Sequence, residues 1–332
     1  MRIGIEARNL FKTHKMGMEV SALEIIRHLQ TSDQKNQFVI FCKKGPDLCL
    51  HESKNLKIRM LPDANTFFWE NLILTRALRE ENIDLLHCTG YTGPVKCHIP
   101  MVITLHDVIF MESATFSFTR HHQRQNFYRN KLVPRLLKKA HTIITTSNYE
   151  KKNVIKYFEE TEKKIEVVYN GISERYLKKY SAEEQRTIRK KYNLPFRYIL
   201  FLGHSARRKN AEGAIKGYLQ YAEKVSNPLK MVVPNLSTEF IKNILQEVGR
   251  KKLAYLFIQT GYIGACDLPM VYQGSHIFLF PSFREGFGIP VIEAMASGTP
   301  VITSNISSMP EIAGKVAYLI DPFQPAQIGN AI

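Results

Sequence analysis

"PSFREGFGIPVIEAMASGTPVI" spans Pro281 to Ile302, directly behind the apolar run 276–280, HIFLF. Pro290 suits a first helical position, where the backbone N–H has no intrahelical acceptor in any case. The apolar spacing that follows predicts a helix over 290–297. Gly286 and Gly288 let the backbone pass close to a ligand and present its N–H groups. Such groups at the start of a helix attract anions and hydroxyl oxygens. Glu285 stands before the turn, and Glu293 stands eight residues on, nearly one turn into the helix. A strand, a glycine turn and a helix with two carboxylates form a ligand-facing connection. Two ordinary glutamates on a tight connection would satisfy the spacing alone.

The same strand–helix alternation runs outward along the chain. Strand patterns lie at 2–7, 37–42, 56–61, 84–88, 101–106, 142–146 and 165–169, with helical patterns at 17–30, 68–81, 120–139 and 148–158. After a basic, polar stretch the alternation restarts, with strands at 198–203, 229–233, 255–260, 276–280, 300–303 and 317–320. Helices are expected there at 210–224, 237–250, 267–273 and 290–297. Strands rich in Val, Ile, Leu and Phe between helices predict parallel sheets covered on both faces. The chain of 332 residues is too long for one ordinary core. The expected architecture is α/β: two doubly wound, Rossmann-like domains facing a cleft, over 1–172 and 197–332. Residues 173–196 join them and carry a helix of their own, since Ser181–Glu184 reads as a capping box. Ligands of such sheets bind beyond the carboxyl ends of the strands.

Composition narrows the class. Hydrophobic residues make up 44% and charged residues 23%, ordinary values for a folded protein. Five cysteines with no C-x-x-C pair read as reduced thiols, with neither a zinc site nor a disulfide framework. The N-terminus is already a strand pattern, so no signal peptide is expected, and no apolar run reaches the ~18 residues of a membrane span. The cytoplasm is the expected location. Net charge is +16, and residues 119–139 hold seven Lys or Arg and no acid. A solvated helix face, an anionic membrane surface or a nucleic acid would each account for that stretch. Phe127 and Tyr128 could insert shallowly beside it if they share an apolar face with Leu132. No helix-turn-helix, zinc-finger or RNA-recognition signature accompanies the charge, so no nucleic-acid partner is expected.

Three further segments fall at strand ends. "YILFLGHSARRKN" (198–210) places Arg207, Arg208 and Lys209 behind Gly203, at the start of a helix. Cations there oppose the helix dipole, and a bound diphosphate would explain them, since Arg grips bidentately and Lys as a point charge. A solvated basic loop is the plainer alternative. "MVITLHDVIF" (101–110) ends a strand at His106, and a lone histidine at a strand end is more often structural than catalytic. Gly17 opens the first helix, with Glu19 beside it.

Taken together these segments resemble the retaining glycosyltransferases of family 4, which have the two-domain GT-B fold. The run from Glu285 to Ile302 follows that family's Glu, seven residues, Glu pattern, and Pro310-Glu311 follows its next element. The resemblance implies that Glu285, with the backbone of Phe287 and Gly288, holds hydroxyls of a donor sugar, and that Glu293 holds the ribose of a nucleotide. It implies that Arg208 and Lys209 grip the donor diphosphate behind Gly203. Many members carry Arg directly after that glycine, where this chain has His204, and Arg207 is the available substitute. His106 would line the sugar pocket from the first domain. Gly17 would belong to a loop that approaches phosphate and acceptor, a partial match with one glycine kept. "VYNGI" (168–172) matches a segment closing the first domain, and "QTGYIG" (259–264) weakly matches one that meets the nucleobase. No Asp-x-Asp or H-E-x-x-H occurs, and the family acts without metal. The implied activity moves a hexose, mannose favoured by the opening "IGIEAR", from a nucleotide sugar to a glycan or lipid-linked glycan. Another GT-B enzyme (an epimerase or phosphorylase) and a silent nucleotide-sugar-binding protein are the rivals. Family members usually continue for several tens of residues beyond the equivalent of Ile332, so the chain is either truncated or a short member.

Overall fold

The computed structural model describes residues 1–112 and 120–332, the side chains of 120–125 and 127 excepted. It divides into two units, Met1–Gly171 and Ile172–Ile332. The boundary falls inside the "VYNGI" segment. Residues 173–196, expected to be a joining segment, fold with the second unit. The helix Ala182–Lys191 begins with Ser181 and Glu184 capping each other reciprocally, and Tyr176, Ile188 and Leu194 are buried in that unit's core.

The first unit is a seven-stranded sheet in the order β3-β2-β1-β4-β5-β6-β7. The strands are β1 (Arg2–Glu6), β2 (Gln37–Lys43), β3 (Leu56–Leu61), β4 (Leu85–Cys88), β5 (Met101–Leu105), β6 (Thr142–Thr145) and β7 (Ile165–Val167). Every pairing is parallel, as where Ile5 stands opposite Ile40 and His87. Helices cover both faces, so β2 is buried without alternation from Phe38 to Cys42. The helix expected over 68–81 starts earlier and changes pitch. Asn65 caps Thr66–Phe68, a wider π-helical turn follows over Trp69–Leu74, and Thr75–Glu80 returns to α geometry. The wide turn carries both Trp69 and Glu70 into the core. In the helix Arg120–Lys139, Leu132, Val133, Leu136 and Leu137 are buried. Tyr128 donates its hydroxyl to Glu70 at 3.3 Å. Tyr128 and Leu132 therefore face the protein interior, and the shallow insertion expected of them is corrected. Arg124 and Phe127 lie outside the described side chains.

The second unit is a six-stranded parallel sheet in the order β10-β9-β8-β11-β12-β13. Its strands are β8 (Tyr198–Leu200), β9 (Lys230–Val232), β10 (Phe257–Ile258), β11 (Ile277–Phe280), β12 (Val301–Ser304) and β13 (Tyr318–Ile320). β8 is shorter than the 198–203 expected. After Leu200 the chain bends so that the Phe201 ring lies against Gly203, where an added Cβ would stand 2.1 Å from that ring. In both sheets the chain order reverses beside the first strand, between β1 and β4 and between β8 and β11. These are the switch points at which doubly wound sheets bind ligands.

Candidate functional site

The loops after β8 and β11 meet at the switch point of the second sheet. Phe283 donates its backbone N–H to the Arg208 carbonyl at 2.8 Å. Arg207–Lys209 form a short 3-10 turn before the helix Ala211–Lys224. Asn210 is left-handed at φ 53°, caps that helix through Gly213 N–H, and donates to the carbonyls of Pro281 and Pro322. That one residue ties the basic loop to the loop carrying Glu285.

Glu285 is 7% exposed, with Lys209 Nζ 2.7 Å from one carboxylate oxygen and Arg208 Nη1 3.0 Å from the other. Burial alone would raise this carboxyl, but the Lys209 and Arg208 charges outweigh it and hold it below the ordinary range. Lys209 also lies over the Phe280 ring at 4.8 Å. Arg207 is exposed, and His204 Nδ1 accepts the Ala206 N–H.

The turn is held by residues that lie beyond the run Pro281–Ile302. Ser307 Oγ accepts the Glu285 N–H at 3.0 Å and lies 2.9 Å from the Glu285 carbonyl. Ser308 Oγ lies 3.0 Å from the carbonyls of Glu285 and Phe287. Arg284, 3% exposed, turns its guanidinium back onto the Glu285 carbonyl. Gly288 caps the helix Ile289–Ala296 at φ 103°, a conformation suited to glycine. Phe287 is buried, and so is Glu293, whose carboxylate accepts the Tyr272 hydroxyl at 3.1 Å. Pro310 and Glu311 lie in the helix Met309–Ala313 that Ser308 precedes.

The second sheet thus gathers Gly203, Arg208, Lys209, Glu285, Phe287, Gly288 and Glu293 around one switch point. His106 and Gly17 belong to the first unit. His106, one residue past β5, is buried, with Nε2 2.9 Å from the Thr89 carbonyl. A carbonyl only accepts, so Nε2 carries the proton and Nδ1 the lone pair. Burial keeps the ring below its ordinary pKa, against the Thr89 bond and the charges of Asp107 and Glu19. Gly17 is exposed at the start of the helix Gly17–Ser32. Pairing among Ser307, Ser308, Arg284 and the Glu285 turn carries no local sequence signal. Asn210, inside an N-cap pattern, was the one clamp a sequence signal could have marked.

Residues 16–176 match the family described as Glycosyltransferase Family 4, and residues 184–332 match Glycosyl transferases group 1. The O-antigen chain mannosyltransferase B of Escherichia coli is 30% identical over 252 residues, 74% of this chain and 63% of that protein. The O-antigen chain mannosyltransferase RfbU of Salmonella typhimurium is 26% identical over 280 residues, 83% and 71% of the two. The chain thus spans less than two thirds of the first of these relatives. Among solved structures, Anabaena Alr3699/HepE in complex with UDP-glucose superposes with a TM-score of 0.71 at 16% identity over 99% of this chain and 88% of that one. WaaG, a glycosyltransferase involved in lipopolysaccharide biosynthesis, gives 0.73 at 15% identity over 99% and 89%. At that identity the likeness establishes the fold, the paired Rossmann-like sheets of GT-B.

Proposed function

We propose, for a chain that belongs to glycosyltransferase family 4, retaining and metal-independent transfer of a hexose from a nucleotide sugar to a glycan or lipid-linked glycan. The observation that carries the proposal is the buried Glu285 held between Lys209 and Arg208 where β8 and β11 diverge. Diphosphate oxygens would take over those two cations, and Glu285 would turn to hydroxyls of the donor sugar beside the Phe287 and Gly288 backbone. Glu293 would take the ribose, and neutral His106 would line the sugar pocket from the first unit. Arg208, Lys209 and the helix start at Ile289 supply the positive potential that a leaving diphosphate needs, which is the support for activity without metal. Attack proceeds on the front face, with the leaving phosphate helping to take the acceptor proton, so no enzymic nucleophile is assigned. The mannosyltransferase relatives favour mannose. Among the described residues no helix is long and apolar enough to cross a membrane, and the exposed cations Lys131, Arg135, Lys138 and Lys139 support peripheral contact with an anionic cytoplasmic leaflet.

The test is a mass-spectrometric assay of nucleotide sugars with a glycan acceptor in excess chelator. Transfer product under those conditions is expected. A requirement for Mn²⁺ or Mg²⁺, restored on adding it back, would sink the metal-free assignment. An altered sugar formed without acceptor would favour an epimerase or phosphorylase. Binding without turnover would favour a silent sugar-nucleotide-binding protein.

A further inference from the structure

Among the described residues, four that are not glycine have a left-handed backbone: Asn82, Asn193, Asn210 and Ser307. Asparagine tolerates that conformation because its short amide bonds locally, whereas a serine resists it. Ser307, at φ 62°, is therefore the exception. It stands between β12 and the helix Met309–Ala313. Both hydrogen bonds of its hydroxyl go to the backbone of Glu285, 22 residues earlier. Backbone strain of this kind persists where the surroundings over-determine it, and it gathers at functional sites.

A hydroxyl carries one proton and two lone pairs, and a carbonyl oxygen has two lone pairs. Ser307 Oγ accepts the Glu285 N–H at 3.0 Å and gives its proton to the Glu285 carbonyl at 2.9 Å. Arg284 Nη1 donates to that same carbonyl at 2.9 Å. These two donors fill its lone pairs. Ser308 Oγ stands 3.0 Å from the carbonyls of both Glu285 and Phe287, and its single proton is thereby left for Phe287. Ser307 thus fixes both backbone groups of the residue whose carboxylate meets Lys209 and Arg208, and it releases Ser308 to fix the carbonyl just before Gly288. Without the Ser307 hydroxyl, the Glu285 N–H loses its acceptor and one Ser308 proton is divided between two carbonyls. Gly286, between them, has the backbone freedom to let the turn drift. Glu293, assigned to the ribose, is oriented by Tyr272 instead.

We propose that Ser307 is a positioning residue for the donor sugar. Its hydroxyl, held on a left-handed backbone, sets the Glu285–Phe287 turn against the sugar hydroxyls and leaves the grip on the nucleotide to Arg208, Lys209 and Glu293. The inference rests on the transferase function proposed above and adds to its donor site a residue from the loop after β12.

Calorimetric titration of the full chain with GDP, UDP, GDP-mannose and UDP-glucose tests the assignment, read as the affinity of each nucleotide sugar relative to its own diphosphate. Ser307→Gly keeps the left-handed backbone and removes the hydroxyl. It should lower that ratio roughly tenfold, the loss expected for one hydrogen-bonded contact to the sugar, while the diphosphate alone moves by less than about twofold. The kcat should fall in the same variant. Ser307→Ala removes the same hydroxyl and should lower the ratio equally, with a lower Tm, so the test stands if either variant fails to fold. Ser307→Asn tolerates the backbone and brings both a donor and an acceptor, and it should restore part of the ratio. A merely structural serine would weaken diphosphate and nucleotide sugar in parallel, and that result overturns the inference. So does a ratio that Ser307→Gly leaves unchanged. Wild-type turnover, measured alongside, separates the two proposals. Turnover with an unmoved ratio removes this inference alone. A ratio that falls as expected in a chain without turnover removes the transferase function and keeps the role of Ser307. A wild type that binds neither nucleotide sugar removes both.

Discussion

Lys209 and Arg208 stand within 3.0 Å of Glu285, so that carboxylate fills the place assigned to the donor diphosphate. Glu285→Gln should leave nucleoside diphosphate affinity unchanged or raised, because it frees both cations, while turnover falls at least about a hundredfold, as when one group aimed at a reacting centre is lost. Glu293→Ala should weaken the diphosphate roughly tenfold, about 1.4 kcal/mol, because its carboxylate, oriented by Tyr272, is assigned to the ribose. Isothermal titration and initial rates on both variants check the division. Equal loss of nucleotide affinity in the two would contradict it.

The Glu285 turn is an element with two supports, the serines after β12 and the left-handed Gly288. Gly288→Ala should cost about 1–2 kcal/mol, because L-residues resist positive φ, and its Cβ would stand 2.4 Å from the Met309 methyl. Calorimetry should show a fall of a few degrees in Tm; an unchanged Tm would show that the turn relaxes freely. This element also marks how far the sequence could be read. The strands were legible because parallel strands buried on both faces become continuous apolar runs. The run around Glu285 was legible because its turn, proline and helix are contiguous. Ser307 and Ser308 were not, since they meet the turn only when β11 and β12 pair. The π-helical turn at Trp69–Leu74 was hidden by an apolar spacing that an α-helix would also satisfy.

Two predictions for the whole molecule follow from where its charge sits. In the helix Arg120–Lys139, Leu132, Val133, Leu136 and Leu137 point inward, so the proposed membrane contact would rest on the exposed cations, each adding about 1 kcal/mol near an anionic leaflet. Co-sedimentation with phosphatidylserine vesicles should fall with salt, as screening shortens to ~8 Å at physiological ionic strength, and should vanish in a Lys131→Glu, Arg135→Glu, Lys138→Glu variant. If wild type ignores such vesicles at low salt, this face is merely solvated. The second prediction concerns stability. Burial pushes the Glu70 carboxyl up to about 8, against the Thr92 hydrogen bond and with the help of the Glu6 charge, and pushes Glu6 itself to about 7. In the unfolded chain both are ionised well below pH 6.5, so between pH 6.5 and 8.5 the folded state binds more protons. Stability must therefore fall as pH rises through that window. His87 and His106, whose pKa values are lowered by burial, act mainly below it, where the unfolded imidazoles take up protons. Thermal unfolding of the wild type should show a lower Tm at pH 8.5 than at pH 6.5. Glu70→Gln keeps an amide in place of the neutral carboxyl and can still meet Thr92 and Tyr128, so it should remove most of that difference. A wild-type Tm that is flat or rising across the window would show that Glu70 and Glu6 ionise in the fold as freely as they do in water.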